Sequence, residues 1–161
     1  MVPLHSLMFV LWCGVAVANS NSAITFATPA NLTKVLLAAV ITGHGDDNNG
    51  CGEFCVTSHH FVINGHEHSI RFSEAGTPLG CANAVRTGVE PNEHGTWVYG
   101  RDGWCDGREV HPWVWDVTAD LYSAASGKLN TITYFGWFEG HTPDPTSPGA
   151  YIIMYSHLTF Y

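Results

Sequence analysis

Charge is scarce in this chain, and basic charge most of all. Only 12% of its 161 residues are Asp, Glu, Lys or Arg, with six basic residues against fourteen acidic ones. No basic cluster occurs. A net charge of −8 gives neither nucleic acid nor an anionic membrane surface a reason to bind, because an acidic chain releases no counterions from either. Signature motifs are missing too: G-x-S-x-G, H-E-x-x-H, a Gly-rich phosphate loop and a nucleotide-binding fingerprint are all absent. There is no internal repeat, no low-complexity tract and no convincing amphipathic helix. The apolar run at residues 7–17 is too short to span a bilayer as a helix.

What is present fits one globular β domain. A chain of 161 residues with 45% hydrophobic content can bury one real core, and its many Gly, Trp, Tyr and Phe residues favour strands. Residues 1–18 read as a secretory leader, with Ala16-Val17-Ala18 as an A-x-A cleavage site before Asn19. The n-region carries no Lys or Arg, only His5, so the rival reading is an N-terminal strand of a longer chain. Removal of the leader takes Cys13 with it. Cys51, Cys55, Cys81 and Cys105 then remain, and an even number in an oxidising compartment favours disulfides over a zinc site. Localisation is expected to be secreted or extracellular, and Asn31-Leu32-Thr33 becomes a usable N-glycosylation sequon.

Along residues 19–161, short β-prone runs alternate with turn signals. They fall at 24–26, 33–42, 55–72, 110–117, 129–138 and 150–160. The sharpest is 55–72, where two β-rich runs flank Asn64-Gly65, a pair suited to a two-residue loop with φ > 0 at both positions. That loop pairs Ile63 with His66, Phe61 with His68 and His59 with Ile70 on one face. His60, Val62, Glu67 and Ser69 fall on the other. Residues 73–99 form a long structured loop holding Cys81, and joining Cys81 to Cys105 would contribute roughly 3.5 kcal/mol by loop closure. About seven short strands with no helix predict an antiparallel β-sandwich of Greek-key or jelly-roll type.

The candidate chemistry centres on the stretch G-H-G-D-D-N-N-G-C-G-E-F-C from Gly43 to Cys55. It holds Asp46, Asp47 and Glu53. If Cys51 and Cys55 are bonded, the small ring fixes the direction of the Glu53 carboxylate, which could polarise a substrate or act as acid or base; a surface glutamate on a stapled turn is the bland alternative. Arg101, four residues before Cys105, could hold a carboxylate or a carbonyl with its planar fork, or simply pair with Asp102. His66-x-His68 has a spacing that can bind copper or zinc, yet two histidines are not a complete site. Trp97, Trp104, Trp113, Trp115 and Trp137 could stack on sugars, although alternating aromatics more often build a core.

Taken together, T-G-H-G, C-G-E-F-C, V-I-N-G, G-C-A-N, G-T-W and G-R-D-G-W-C-D-G resemble the C-terminal half of bacterial peptide-N-glycosidase F, across residues 30–121. The resemblance implies one of two adjacent eight-stranded jelly rolls in an enzyme that hydrolyses the amide between an N-glycan and asparagine, with no metal or cofactor. It places an active-site glutamate at Glu53 and an active-site arginine at Arg101. It pairs Cys51 with Cys55 and Cys81 with Cys105. His44 and Asp46 stand where the family has a glycan-contacting tryptophan and a histidine, and the loop before Cys51 is shorter, so the resemblance does not carry the family's substrate preference over to this chain. The family's primary catalytic aspartate, in a W-D-R setting, belongs to the N-terminal jelly roll and has no counterpart before Thr33. The expectation is therefore an N-glycan or glycoprotein partner and a second jelly roll supplied upstream or in trans. Two alternatives stand beside it: a secreted glycan-binding module without catalysis, and a relative of the copper-dependent peptidylglycine-type monooxygenases, which share the two-roll architecture.

Overall fold

Alternation of apolar and polar residues at period two is carried through into two stacked sheets. The computed structural model describes residues 7–17, 23–44, 56–72, 79–91, 105–138 and 151–160. Their strands are β1 (Leu7–Val17), β2 (Ile24–Ala27), β3 (Val35–His44), β4 (Thr57–Ile63), β5 (His66–Arg71), β6 (Trp113–Asp116), β7 (Leu129–Phe138) and β8 (Tyr151–Phe160). One sheet has the order β1-β8-β3-β6 and the other β2-β7-β4-β5, and the described pairs are antiparallel. This double-sheet interleaving is the jelly roll expected from the sequence.

The core is built from the inward positions of β3 and β4. Val35, Leu37, Ala39 and Ile41 from β3 meet Phe61 and Ile63 from β4, with Phe72, Val117 and Ile132 completing the cluster. Each large apolar side chain so buried contributes about 1.5–3 kcal/mol relative to exposure. On the side where β5 and β6 are the sheet edges, aromatic rings bridge the layers. Phe61 lies 5.7 Å from Trp115 and Phe72 lies 5.8 Å from Trp113. Of the two tryptophans expected on one strand face, Trp115 is half-buried, whereas Trp113 is 38% exposed at the rim.

The hairpin follows the expected register: Ile63 pairs with His66, Phe61 with His68 and His59 with Ile70. Asn64 and Gly65 have φ of 51° and 91°, as a two-residue loop with both central residues left-handed requires. The run expected at 110–117 is a strand only over Trp113–Asp116, since Pro112 lacks the N–H that would extend the ladder. The loop expected at 73–99 contains a short 3-10 helix, Ala82–Thr87. Residues 7–17, read in the sequence as part of a leader, form β1 here and pair with β8 from Leu7↔Phe160 to Val17↔Tyr151.

Candidate functional site

Strand register gathers the connections that carry the sequence candidates. β3 ends at His44, opposite Tyr151, where β8 begins; β4 begins at Thr57, opposite Phe138, where β7 ends; and Ser58 faces Arg71, where β5 ends. The β3–β4, β5–β6 and β7–β8 connections therefore start from one end of the sandwich. Glu53 belongs to the first connection and Arg101 to the second. Asp46, Asp47, Cys51, Glu53, Cys55, Trp97, Arg101 and Trp104 themselves lie outside the described residues, as does the side chain of His44.

The stems of the connection bearing Arg101 are tied together. Cys81 and Cys105 form a disulfide with Cα atoms 5.7 Å apart, the pairing implied by the family resemblance. The Glu90 amide donates to the Asp106 carbonyl at 2.9 Å. Gly107 has a φ of 79°, and a Cβ there would come within 2.7 Å of Glu90 Cγ and 2.8 Å of the Gly88 carbonyl, so only glycine fits the crossing. A pinned stem narrows where the intervening loop can reach.

The hairpin histidines divide into three environments. His59 is fully buried, with Nε2 2.9 Å from Thr57 Oγ1 and Nδ1 2.8 Å from the Tyr134 hydroxyl. Burial, and secondarily the charge of His60, holds its pKa at about 3. His60, on the outer sheet face, bonds Ser58 Oγ at 2.8 Å and Glu67 Oε1 at 2.7 Å and stacks on Phe135 at 4.5 Å. The 39% exposed Trp137 is 5.4 Å from the same ring. His66 and His68 converge on one carboxylate: His68 Nε2 is 2.6 Å from Asp120 Oδ2 and His66 Nδ1 is 3.7 Å from Asp120 Oδ1. Among the described residues, no three His, Cys, Asp or Glu side chains are placed to hold a metal ion. Asp120 instead ties the β5 edge to the turn after β6.

A polar network sits at the opposite end of the sandwich, where β2 gives way to β3. Asn130, fully buried, accepts from Asn64 Nδ2 and from the Tyr122 amide, both at 2.8 Å, and donates to Thr28 Oγ1 at 2.8 Å. The Thr28 hydroxyl in turn donates to the Tyr122 carbonyl. This network floors an open cavity of about 650 Å³ that also borders Asn31, Leu32 and Leu121. Sequence reasoning had not singled out Asp120 or Asn130. Asp120 carries no local signal, but Asn130 does: it shares the inward alternation of Ile132 and Tyr134, where a lone polar residue has to be bonded.

The profile of the family described as Peptide-N-glycosidase F, C terminal, matches residues 15–159. The chain belongs to the peptide-N-glycosidase F family. Its similarity to that family's C-terminal domain covers nearly the whole sequence. The curated relative peptide-N(4)-(N-acetyl-beta-D-glucosaminyl)asparagine amidase F of Elizabethkingia miricola is 29% identical over 136 residues, covering 81% of this chain and 35% of the relative. The solved PNGase F from Flavobacterium meningosepticum, described as a glycosylasparaginase, has a TM-score of 0.65 at 21% identity, covering 97% of this chain and 51% of that one. PNGF-II is more distant, with a TM-score of 0.56 at 17% identity over 89% of this chain and 25% of its own. The structural likeness is one of fold. This chain thus spans about a third of the curated relative and half of the solved PNGase F.

Proposed function

We propose that this peptide-N-glycosidase F-family chain is the second jelly roll of an N-glycan amidase, which joins an N-terminal jelly roll supplied upstream or in trans. Water adds to the side-chain carbonyl of the glycosylated asparagine, the C–N bond to the sugar-bearing nitrogen breaks, and the products are aspartate and a glycosylamine. In this reading Glu53 acts as a supporting acid or base and Arg101 holds the developing charge on the carbonyl oxygen. His44 and Asp46 contact the glycan. Cys51 and Cys55 frame Glu53. The N-terminal roll carries the primary catalytic aspartate. A secreted, extracellular setting suits the disulfide between Cys81 and Cys105.

The observation that carries this reading is the register that starts the Glu53-bearing and Arg101-bearing connections from one end of the sandwich. Two residues far apart in sequence can then face one cleft. In this reading this roll recognises glycan and hydrolysis needs the other roll as well; the chain spans about a third of the curated relative and half of the solved PNGase F. The test mixes or fuses the chain with a W-D-R-bearing jelly roll and follows glycan release from a denatured glycoprotein. Release that is lost on Glu53→Ala or Arg101→Ala supports the proposal. No release in any combination, or release indifferent to both substitutions, refutes it.

A further inference from the structure

The cavity at the β2–β3 end of the sandwich has a neutral lining, and on its rim stands Asn31, the first residue of an N-glycosylation sequon. About 650 Å³ lies between the turn after β2 and the segment between β6 and β7, within the range of roughly 300–1,000 Å³ usual for small-ligand sites. None of its lining residues is charged. Leu32 and Leu121 supply apolar wall, and the ring of Tyr122, 39% exposed, borders the space. Lys128 Nζ lies 5.0 Å from that ring's centroid, which helps to hold its orientation. The backbone beneath is fixed by the bonds of Asn130 to Thr28 and to the Tyr122 amide. An aromatic ring, aliphatic walls and an uncharged lining fit the alternating apolar and hydroxyl surfaces of a pyranose ring.

Asn31 decides which sugar. It lines the cavity, is exposed, and sits in a turn at φ 61° as the first residue of Asn31-Leu32-Thr33. A sugar joined to its Nδ2 begins at the cavity's edge and needs no free binding energy to arrive there, because the covalent link raises its effective concentration at the site. We propose that Asn31 carries an N-glycan whose innermost N-acetylglucosamine seats in this cavity against Tyr122 and Leu121. The modification transfers the oligosaccharide from a polyprenol-pyrophosphate donor. The sugar C1–O bond to the pyrophosphate breaks, the C1–Nδ2 bond forms, Nδ2 loses one proton and the lipid pyrophosphate leaves. The seat then covers apolar surface that is open in the bare chain, and it recesses the sugar–asparagine link.

The test secretes the full chain behind a host leader from an N-glycosylating cell, so that export does not depend on residues 1–18. Mass spectrometry of the Asn31 peptide should show the glycan, with none on Asn31→Gln. After trimming to a single N-acetylglucosamine, nuclear magnetic resonance should show sugar protons shifted by the aromatic ring and in contact with Tyr122. Tyr122→Leu should keep the occupancy and return those protons to free-sugar positions. An unmodified Asn31 in the secreted, folded chain overturns the modification. Free-sugar proton positions in the unsubstituted glycoprotein overturn the seat.

Discussion

The hydroxyl of Tyr134 lies 2.8 Å from Nδ1 of His59 at the centre of the sandwich, and it shares with Thr57 the task of satisfying an imidazole that has no access to water. Both partners are hydroxyls that can donate or accept, so they suit a neutral ring in either tautomer, and it is burial that disfavours the protonated ring. Burial first, and the charge of His60 second, depress its pKa from 6.5 to about 3. The unfolded chain takes up this proton near pH 6.5, while the folded chain resists until near pH 3. Stability from this group is therefore complete above 6.5 and falls as pH drops between those values, by about 1.4 kcal/mol per pH unit. Urea unfolding across this range should show a shallower acid decline for His59→Gln than for the unsubstituted chain. Parallel declines would contradict the assignment.

Asp120 ties together two histidines on the β5 edge and the turn that follows β6. Its carboxylate is mostly shielded, with 16% side-chain exposure, and the His68 contact is a short one at 2.6 Å. Asp120→Asn keeps the shape but removes the charge that both imidazoles face. It should cost about 2 kcal/mol in chemical denaturation near neutral pH. A variant within a few tenths of a kcal/mol of the unsubstituted chain would show that the clasp carries no weight.

The Cys81–Cys105 link closes a sequence separation of 24 residues. Loop closure on that scale is worth about 3.5 kcal/mol, acting mainly on the unfolded chain. Replacing both cysteines by serine should lower unfolding free energy by that order. The same change should release the stems of the Arg101-bearing connection, seen as faster amide exchange at Glu90, whose N–H bonds the Asp106 carbonyl. Unchanged stability and exchange would remove the staple's role.

β1 pairs with one edge of β8 along nearly its full length, while β3 occupies the other edge. A chain beginning at Asn19 leaves β8 with a row of unpaired backbone groups, a template for further strand addition. Compared with the full chain, it should melt at lower temperature and self-associate on light scattering. Equal melting temperature and a monodisperse truncated chain would contradict the importance of this pairing.

Much of the fold was legible because its signals are local. Asn64-Gly65 set a two-residue hairpin, and that turn fixed which of Phe61, His68, His60 and Glu67 share a face. β7 and β8 followed from alternation. The β1 assignment was harder, since an apolar run with small residues at its end satisfies the demands of an export leader and of a strand equally. His66-x-His68 had the spacing of metal ligands, but the carboxylate that takes up both lies more than fifty residues away at Asp120, beyond any local pattern. For the candidate site, the motifs around Glu53 and Arg101 named the residues, whereas the shared end from which their connections start emerged only from the register of β3, β4, β5, β7 and β8.

The central claim concerns which bond is cut. A glycopeptide is treated in heavy-oxygen water with the chain joined to a W-D-R-bearing jelly roll, and the product peptide is weighed. The account predicts that asparagine becomes aspartate carrying one heavy oxygen, and that Glu53→Ala suppresses this label. Cleavage that leaves an N-acetylglucosamine on asparagine, or labelling that survives Glu53→Ala unchanged, would contradict it.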